Sequence, residues 1–246
     1  MNPNTELSVV VPAYNEEARL PRTLDRIRDY LHKAHPSSEI VVVDDGSSDR
    51  TADVVRSFEE KTPEVRLVLN ERNRGKGYSV RAGMLAARGE ISLFTDADLS
   101  APIEEVEKLL VALRSADIAI GSRALDRSLI QVHESRPREL AGVLFNLIVR
   151  GTIGLPFKDT QCGFKAFRTD RARVIFQKQT IEGFGFDPEI LFLGLRRGLR
   201  VVEVPVLWAH DPRTKVHMTR DSLRMFAALW QIRRNAARGC YEREGK

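Results

Sequence analysis

Four short apolar runs punctuate the first hundred residues: 7–11 (LSVVV), 40–43 (IVVV), 65–69 (VRLVL) and 91–95 (ISLFT). Runs that are apolar at successive positions read as strands buried on both faces, as in a parallel sheet. The segments between them carry helical signals. Behind Pro21, well placed at a helical N1, Leu24, Ile27 and Leu31 recur on one face. A second helix is predicted from about Thr51 to Lys61, capped by Ser48 or Asp49. A third enters from NRGKG and runs through Arg88, with Gly89 as its stop. Strand and helix thus alternate through three crossovers, which predicts a doubly wound, mainly parallel α/β sheet in a single domain.

In such a sheet, ligands bind outside the carboxyl ends of the strands. Those ends carry residues 12–16 (PAYNE), Asp44 and Asp45, residues 74–77 (RGKG), and the triplet Asp96, Ala97, Asp98. Two carboxylates two positions apart at a strand end repel unless a cation lies between them, and hard oxygen ligands suit Mg²⁺ or Mn²⁺. The competing reading of this stretch is a helix cap, with Ser100 as N-cap ahead of Pro102 and Glu104 and Glu105 in the first turn. A cap leaves the two preceding acids unexplained. Likewise Asp44-Asp45-Gly46 alone could be an Asx turn and RGKG alone a turn into a helix. It is their convergence on one sheet edge that points to a nucleotide held through acids and a metal. No G-x-G-x-x-G follows the first strand and no Walker lysine pattern occurs, which disfavours dinucleotide enzymes and P-loop hydrolases.

The chain has 246 residues, enough to bury a sizeable core. Its net charge of +5 is concentrated at the end: from Pro212 to Lys246 nine Lys or Arg face Asp221, Glu242 and Glu244. That basicity suits a polyanion, an anionic membrane surface or a phosphorylated lipid, and equally a solvated tail. No recognition helix, RNP motif or zinc finger accompanies it, which argues against nucleic acid. Cys162 and Cys240 lack metal or redox spacing and read as reduced cytosolic thiols. Neither a signal peptide nor a membrane span is predicted.

The ordered set VVVPAYNEE, EIVVVDDGSSDRT, NRGKGYSVRAGMLAARGE, FTDADLS, GSRALDRS, DTQCGFKAF and FGFDPEI resembles the family-2 inverting glycosyltransferases of the A-type nucleotide-sugar fold. Within them it is similar to the branch that glycosylates polyprenyl or dolichyl phosphate, and there to the β-glucosyltransferase type. The resemblance runs from Leu7 to Arg234. It implies hexose transfer, from UDP-glucose, to a polyprenyl or dolichyl phosphate. Mannosyl transfer from GDP-mannose and a soluble hydroxyl acceptor stand as alternatives. Pro12, Tyr14, Glu16 and Asp44 would surround the nucleoside, with Asp45 a further substrate-binding residue; Lys76 would lie beside the nucleotide, and Asp96 and Asp98 would hold Mg²⁺ or Mn²⁺ with the diphosphate. Arg123, with Arg136 or Arg138, would hold the acceptor phosphate. Ser100 stands where mannosyl relatives often carry a further metal ligand, glutamine. Eukaryotic glucosyl members carry an N-terminal anchor, so the expected acceptor here is a prokaryotic polyprenyl phosphate.

Other expectations come from the residues. Asp187 is a candidate base or acceptor-orienting acid, or else an N-cap ahead of Pro188. Residues 124–137 read as a loop, a candidate acceptor lid. In residues 138–150 the stripe of Leu140, Val143, Leu144, Leu147 and Ile148 reads as core rather than a lipid groove, Cys162 as packing, and His133, His210 and His217 as solvated. The chain divides into residues 1–211, the transferase domain, and 212–246, a basic helical tail. In the tail Leu223, Met225, Phe226, Leu229, Trp230 and Ile232 occupy more than one helical face. That spread fits a helix lying at a membrane interface, which would make this a peripheral enzyme at the cytoplasmic face, or one buried against a second copy of the chain.

Overall fold

The computed structural model describes residues 5–133, 135–211 and 218–242. Pro212, Lys215 and His217, with the side chains of Arg138, Arg220 and Asp221, lie outside the described residues. In chain order the first half runs β1 (Leu7–Ala13), α1 (Leu20–Ala34), β2 (Ser38–Asp44), α2 (Thr51–Glu59), β3 (Val65–Leu69), α3 (Lys76–Ala86) and β4 (Ile91–Thr95). There follow α4 (Val106–Leu113), β5 (Ile118–Ser122), β6 (Ile130–Val132), α5 (Arg136–Ile153), β7 (Phe164–Arg168), α6 (Thr169–Phe176), α7 (Phe186–Arg196), β8 (Val201–Pro205), β9 (Trp208–Ala209) and α8 (Met218–Ala237).

Seven strands form one sheet in the order β3-β2-β1-β4-β7-β5-β8. Only β7 is antiparallel to its neighbours. The chain builds outward from β1 to β3 and then returns to set β4 on the other side of β1. The gap between the ends of β1 and β4 is therefore the topological switch point where a ligand crevice forms. Alternation decides which face each residue serves: Val10, Val41 and Phe94 join one core cluster, with Phe167 and Phe186, while Val9, Val11, Val42 and Leu93 join the other, with Leu24, Ile27 and Leu109. Both faces are covered, which is why β1 and β2 read as unbroken apolar runs.

The structure corrects several expectations. Gly89 does not close α3, which ends at Ala86; a side chain at Gly89 would lie 2.7 Å from the backbone nitrogen of Ser8, so the glycine serves a close crossing of two backbones. Ser100 is not an N-cap. Its N–H instead donates to Asp98 Oδ1 at 2.9 Å, and the following helix opens as a 3₁₀ turn, Ile103–Glu105, behind Pro102. Residues 124–137 are no bare loop: Arg127–Leu129 forms a 3₁₀ turn and β6 pairs in parallel with β9. Of the stripe on α5 only Ile148 packs against the core. Leu140, Val143, Leu144 and Leu147 are 50–69 % exposed, because the helix turns Phe145, Val149 and Ile153 inward instead. Alongside it α8 buries Ala228, Leu229 and Ile232 and leaves Leu223 and Trp230 exposed.

Candidate active site

The carboxylate end of β4 is held from three sides. Thr95 pairs with Phe164 of β7, so Asp96 comes to lie against Gly163. A methyl group at Gly163 would sit 2.6 Å from Asp96 Cγ, so only glycine lets the carboxylate occupy this place. Beyond it the chain turns sharply. Leu99 N–H donates to the Asp96 carbonyl at 3.1 Å and Leu99 itself has φ +49°, an uncommon conformation for a branched residue. From α1, the Thr23 hydroxyl donates to the Ala97 carbonyl at 2.6 Å. The turn that presents Asp96 and Asp98 is thus fixed before any ligand binds.

The start of α3 supplies the opposing charge. Gly75, at φ +108°, and Gly77 let the backbone pass against residues 181 and 182, where a side chain at either glycine would come within 2.7 Å of a carbonyl oxygen. This passage carries Lys76 to the end of β4, its Nζ 2.5 Å from Asp96 Oδ1. Burial works against the Lys76 ammonium, but Asp96 and Asp187 outweigh it and hold the group above its usual value. Asp45 braces the same loop: its carboxylate accepts from Gly75 N–H (2.7 Å), Arg74 N–H (3.1 Å) and Asn70 Nδ2 (2.8 Å). Asp44 accepts from the Ser47 hydroxyl. Pro12, half-exposed Tyr14 and Glu16 flank the end of β1, where Asn15 and Glu16 N–H groups donate to Ser47 and Thr51 and tie the two loops together.

On the other side of Asp96, Arg123 follows β5 and forks onto Asp159, with Nε to Oδ2 at 2.7 Å and an Nη2 to Oδ1 bond of 2.9 Å. Burial pushes the Asp159 carboxyl up, yet Arg123 overcomes it and holds the group at about 2. Asp187, in the first turn of α7, is buried and receives the Lys165 ammonium of β7 on Oδ1 at 2.5 Å. It is not the helix cap, a position Gly185 takes. Burial raises its pKa, against the pull of Lys165 and Lys76.

Lys76, Asp96, Asp98, Arg123 and Asp187 share the wall of one cleft of about 510 Å³. Its far wall is α5 and α8, through Val143, Leu144, Phe145, Met225 and Phe226. Arg127, Lys158, His210 and Asp211, which the sequence did not single out as site residues, also line it. His210 is therefore not simply solvated, whereas His133 pairs with Glu139 on the surface. Arg136 stands exposed at the start of α5 outside this lining, and the Arg138 side chain is outside the described residues. Cys162 is packed as expected, its thiol pushed up to about 12 by burial.

A divalent cation fits the donor set at Asp96 and Asp98. Burial and the neighbouring charge of Asp96 raise the Asp98 carboxyl, a cost that a cation bound between the two would offset. Among the described residues the cations near them are Lys76 on Asp96 and, at 3.8 Å from Asp98, Arg19.

The sequence pattern of glycosyl transferase family 2 matches residues 8–175. A dolichyl-phosphate beta-glucosyltransferase of Trichomonas vaginalis is 36% identical over 255 residues, covering 94% of this chain and 77% of the relative. The human dolichyl-phosphate beta-glucosyltransferase is 34% identical, over 99% of this chain and 79% of its own. Among solved structures, glucosyl-3-phosphoglycerate synthase from Mycobacterium tuberculosis in complex with Mn²⁺, UDP and phosphoglyceric acid superposes with a TM-score of 0.69 at 22% identity, covering 93% of this chain and 78% of that one. The same enzyme is also known with Mg²⁺ and UDP. The fold is shared with these structures.

Proposed function

The chain belongs to glycosyl transferase family 2, and from that premise we propose that it transfers glucose from UDP-glucose to a dolichyl or other polyprenyl phosphate, inverting the anomeric centre. The observation that carries this reading is the double character of the cleft, with Lys76, Asp96, Asp98 and Arg123 at one end and the apolar side chains of α5 and α8 at the other. An acceptor with a phosphate head and a hydrocarbon chain fits both ends at once. A small hydrophilic acceptor leaves the apolar end without a use.

Chemistry follows from charge. A Mg²⁺ or Mn²⁺ ion bound by Asp96 and Asp98 would neutralise the charge that develops as the nucleoside diphosphate leaves. Lys76 contributes a fixed ammonium beside the same oxygens. The acceptor phosphate has its second pKa at about 6, so it arrives as an anion and needs orientation rather than deprotonation. Arg123 supplies that orientation, with its fork steadied by Asp159, and Lys158 and Arg127 add cations along its approach.

The same reading accounts for the exposed faces of α5 and α8. Among the described residues no helix is long and apolar enough to cross a membrane. Leu144 and Val143 of α5 line the apolar side of the cleft together with Arg127, and Leu140 and Leu147 extend the exposed apolar face of the same helix, which Arg136 opens. This is the composition of a surface that rests on a bilayer, where a fully buried leucine contributes roughly 1.5–3 kcal/mol. The enzyme then works peripherally on the membrane that carries its acceptor. The test is release of nucleoside diphosphate from UDP-glucose and, separately, GDP-mannose, with and without a short polyprenyl phosphate. Expected is UDP release that depends on both metal and lipid. Release indifferent to the lipid, or full activity in excess EDTA, overturns the reading.

A further inference from the structure

Lys165 is a charged residue in the middle of the sheet. It lies on β7 between Phe94 of β4 and Ile120 of β5 and has no exposed surface. Its ammonium donates to the Cys162 carbonyl at 2.6 Å and to Asp187 Oδ1 at 2.5 Å, and lies 5.4 Å from the centre of the Phe94 ring. A buried ion pair is weak evidence for stability, since a hydrophobic pair of similar volume often serves as well. What distinguishes this one is where it ends. Asp187 reaches the cleft wall, and its second oxygen, Oδ2, has no hydrogen-bond partner among the described residues.

We propose that Lys165 is a positioning residue whose buried ammonium locks Asp187 as a fixed anionic acceptor for a hydroxyl of the transferred hexose, and that Asp187 is not the base of the reaction. This rests on the transfer reaction proposed above. Three species meet in the cleft. The donor's diphosphate and the acceptor phosphate are anions and gain nothing from a carboxylate. The nucleoside also carries donors, on its ribose and base, but in the reading above these belong at the carboxylates that follow β1 and β2, so the hydroxyls of the neutral hexose are the donors left for Asp187. Burial favours the protonated form of Asp187 and the Lys165 ammonium opposes it, so the anion depends on this pair, while an acceptor phosphate that arrives ionised leaves a base no proton to remove. The tie from β7 to α7 sets the angle of Oδ2 toward the sugar, and a misplacement of 1 Å in such a contact costs about 10²-fold in rate.

The experiment compares Lys165→Met, Asp187→Asn and the double variant with wild type. Initial rates are measured over UDP-glucose and polyprenyl phosphate concentrations, with UDP binding to each protein in the presence of Mn²⁺. Each single change is expected to lower kcat about 100-fold while KM for polyprenyl phosphate and the affinity for UDP stay within about threefold of wild type. The double variant, which leaves no buried charge unpaired, is expected to fold and to be no slower than Asp187→Asn. Should Lys165→Met fail to fold, Lys165→Gln, which keeps an N–H donor without the charge, is read on the same split. A double variant with wild-type kcat means the pair is structural and overturns the proposal. Equal loss of UDP binding and turnover overturns it too. If wild type transfers no sugar, the functional reading falls and this inference with it; an active wild type with unaffected variants refutes the inference alone.

Discussion

Replacing Gly163 by alanine tests the geometry of the site with a single methyl group. The glycine has no left-handed φ, so alanine brings no backbone strain there, and the three atoms nearest its methyl all belong to the Asp96 carboxylate, with Cγ at 2.6 Å. Ordinary contact begins at 3.4 Å, so the carboxylate must yield by the better part of an ångström or more. The turn behind it cannot follow, being tied by Thr23 to α1 and by Leu99 to Asp96 itself. A displacement of about 1 Å in a reacting group costs on the order of 10²-fold in rate, which is about 2.7 kcal/mol in barrier. The assay is metal-dependent UDP release beside a Mn²⁺ titration and a thermal melt. Gly163→Ala should bind Mn²⁺ more weakly, turn over about 100-fold more slowly and melt as wild type does. Wild-type turnover refutes the placement of Asp96, and a fall in Tm that matches the loss refutes the claim that the methyl acts only there.

Asp96→Asn and Asp98→Asn should each abolish transfer without lowering Tm, and EDTA should reproduce the effect on wild type. Arg123→Met leaves the Asp159 carboxylate buried and unpaired, so it should cost roughly 3–5 kcal/mol of stability, read by urea unfolding. Since Arg123 depresses the Asp159 pKa from 3.8 to about 2, the stability from this pair is present above pH 3.8 and disappears as pH falls toward 2. That part of the acid-unfolding curve should vanish in Asp159→Asn. Leu144→Glu with Leu147→Glu should abolish flotation with anionic liposomes while UDP binding in solution stays intact.

The frame of the fold was legible because the hydrophobic pattern states it outright. Leu24, Ile27 and Leu31 on α1 are all buried, and β1 to β4 fall where the apolar runs are. Asp96, Asp98 and Lys76 were legible for a related reason, since Asp96 directly follows the end of β4, Asp98 stands two residues further on and Lys76 opens α3. What resisted reading was held by neighbours distant in sequence. Lys165 sits in GFKAF as a lone charge in a strand, and only the approach of α7 explains it. Gly163 reads as a turn residue until β7 is laid beside β4. The stripe on α5 was misjudged because that helix is apolar on two faces, and periodicity alone cannot say which one the domain covers.

The position of β7 also governs how the chain comes to be folded. Synthesis runs from the N-terminus, and β1 to β4 with their crossovers can assemble as soon as they emerge. The outer edge of β4 must then wait, its row of N–H and carbonyl groups unpaired, until everything through α5 has been made and β7 arrives to fill it. An open edge of that kind invites pairing with another chain. The long-range closure it awaits is the slow kind. The same strand brings Lys165, with Gly163 just ahead of it, so the seam that joins the two halves of the sheet also completes the wall of the cleft, and only β8 is left to add at the edge. A nascent or truncated chain ending before β7 is both sticky and inert, and activity in this enzyme reports that its sheet has closed.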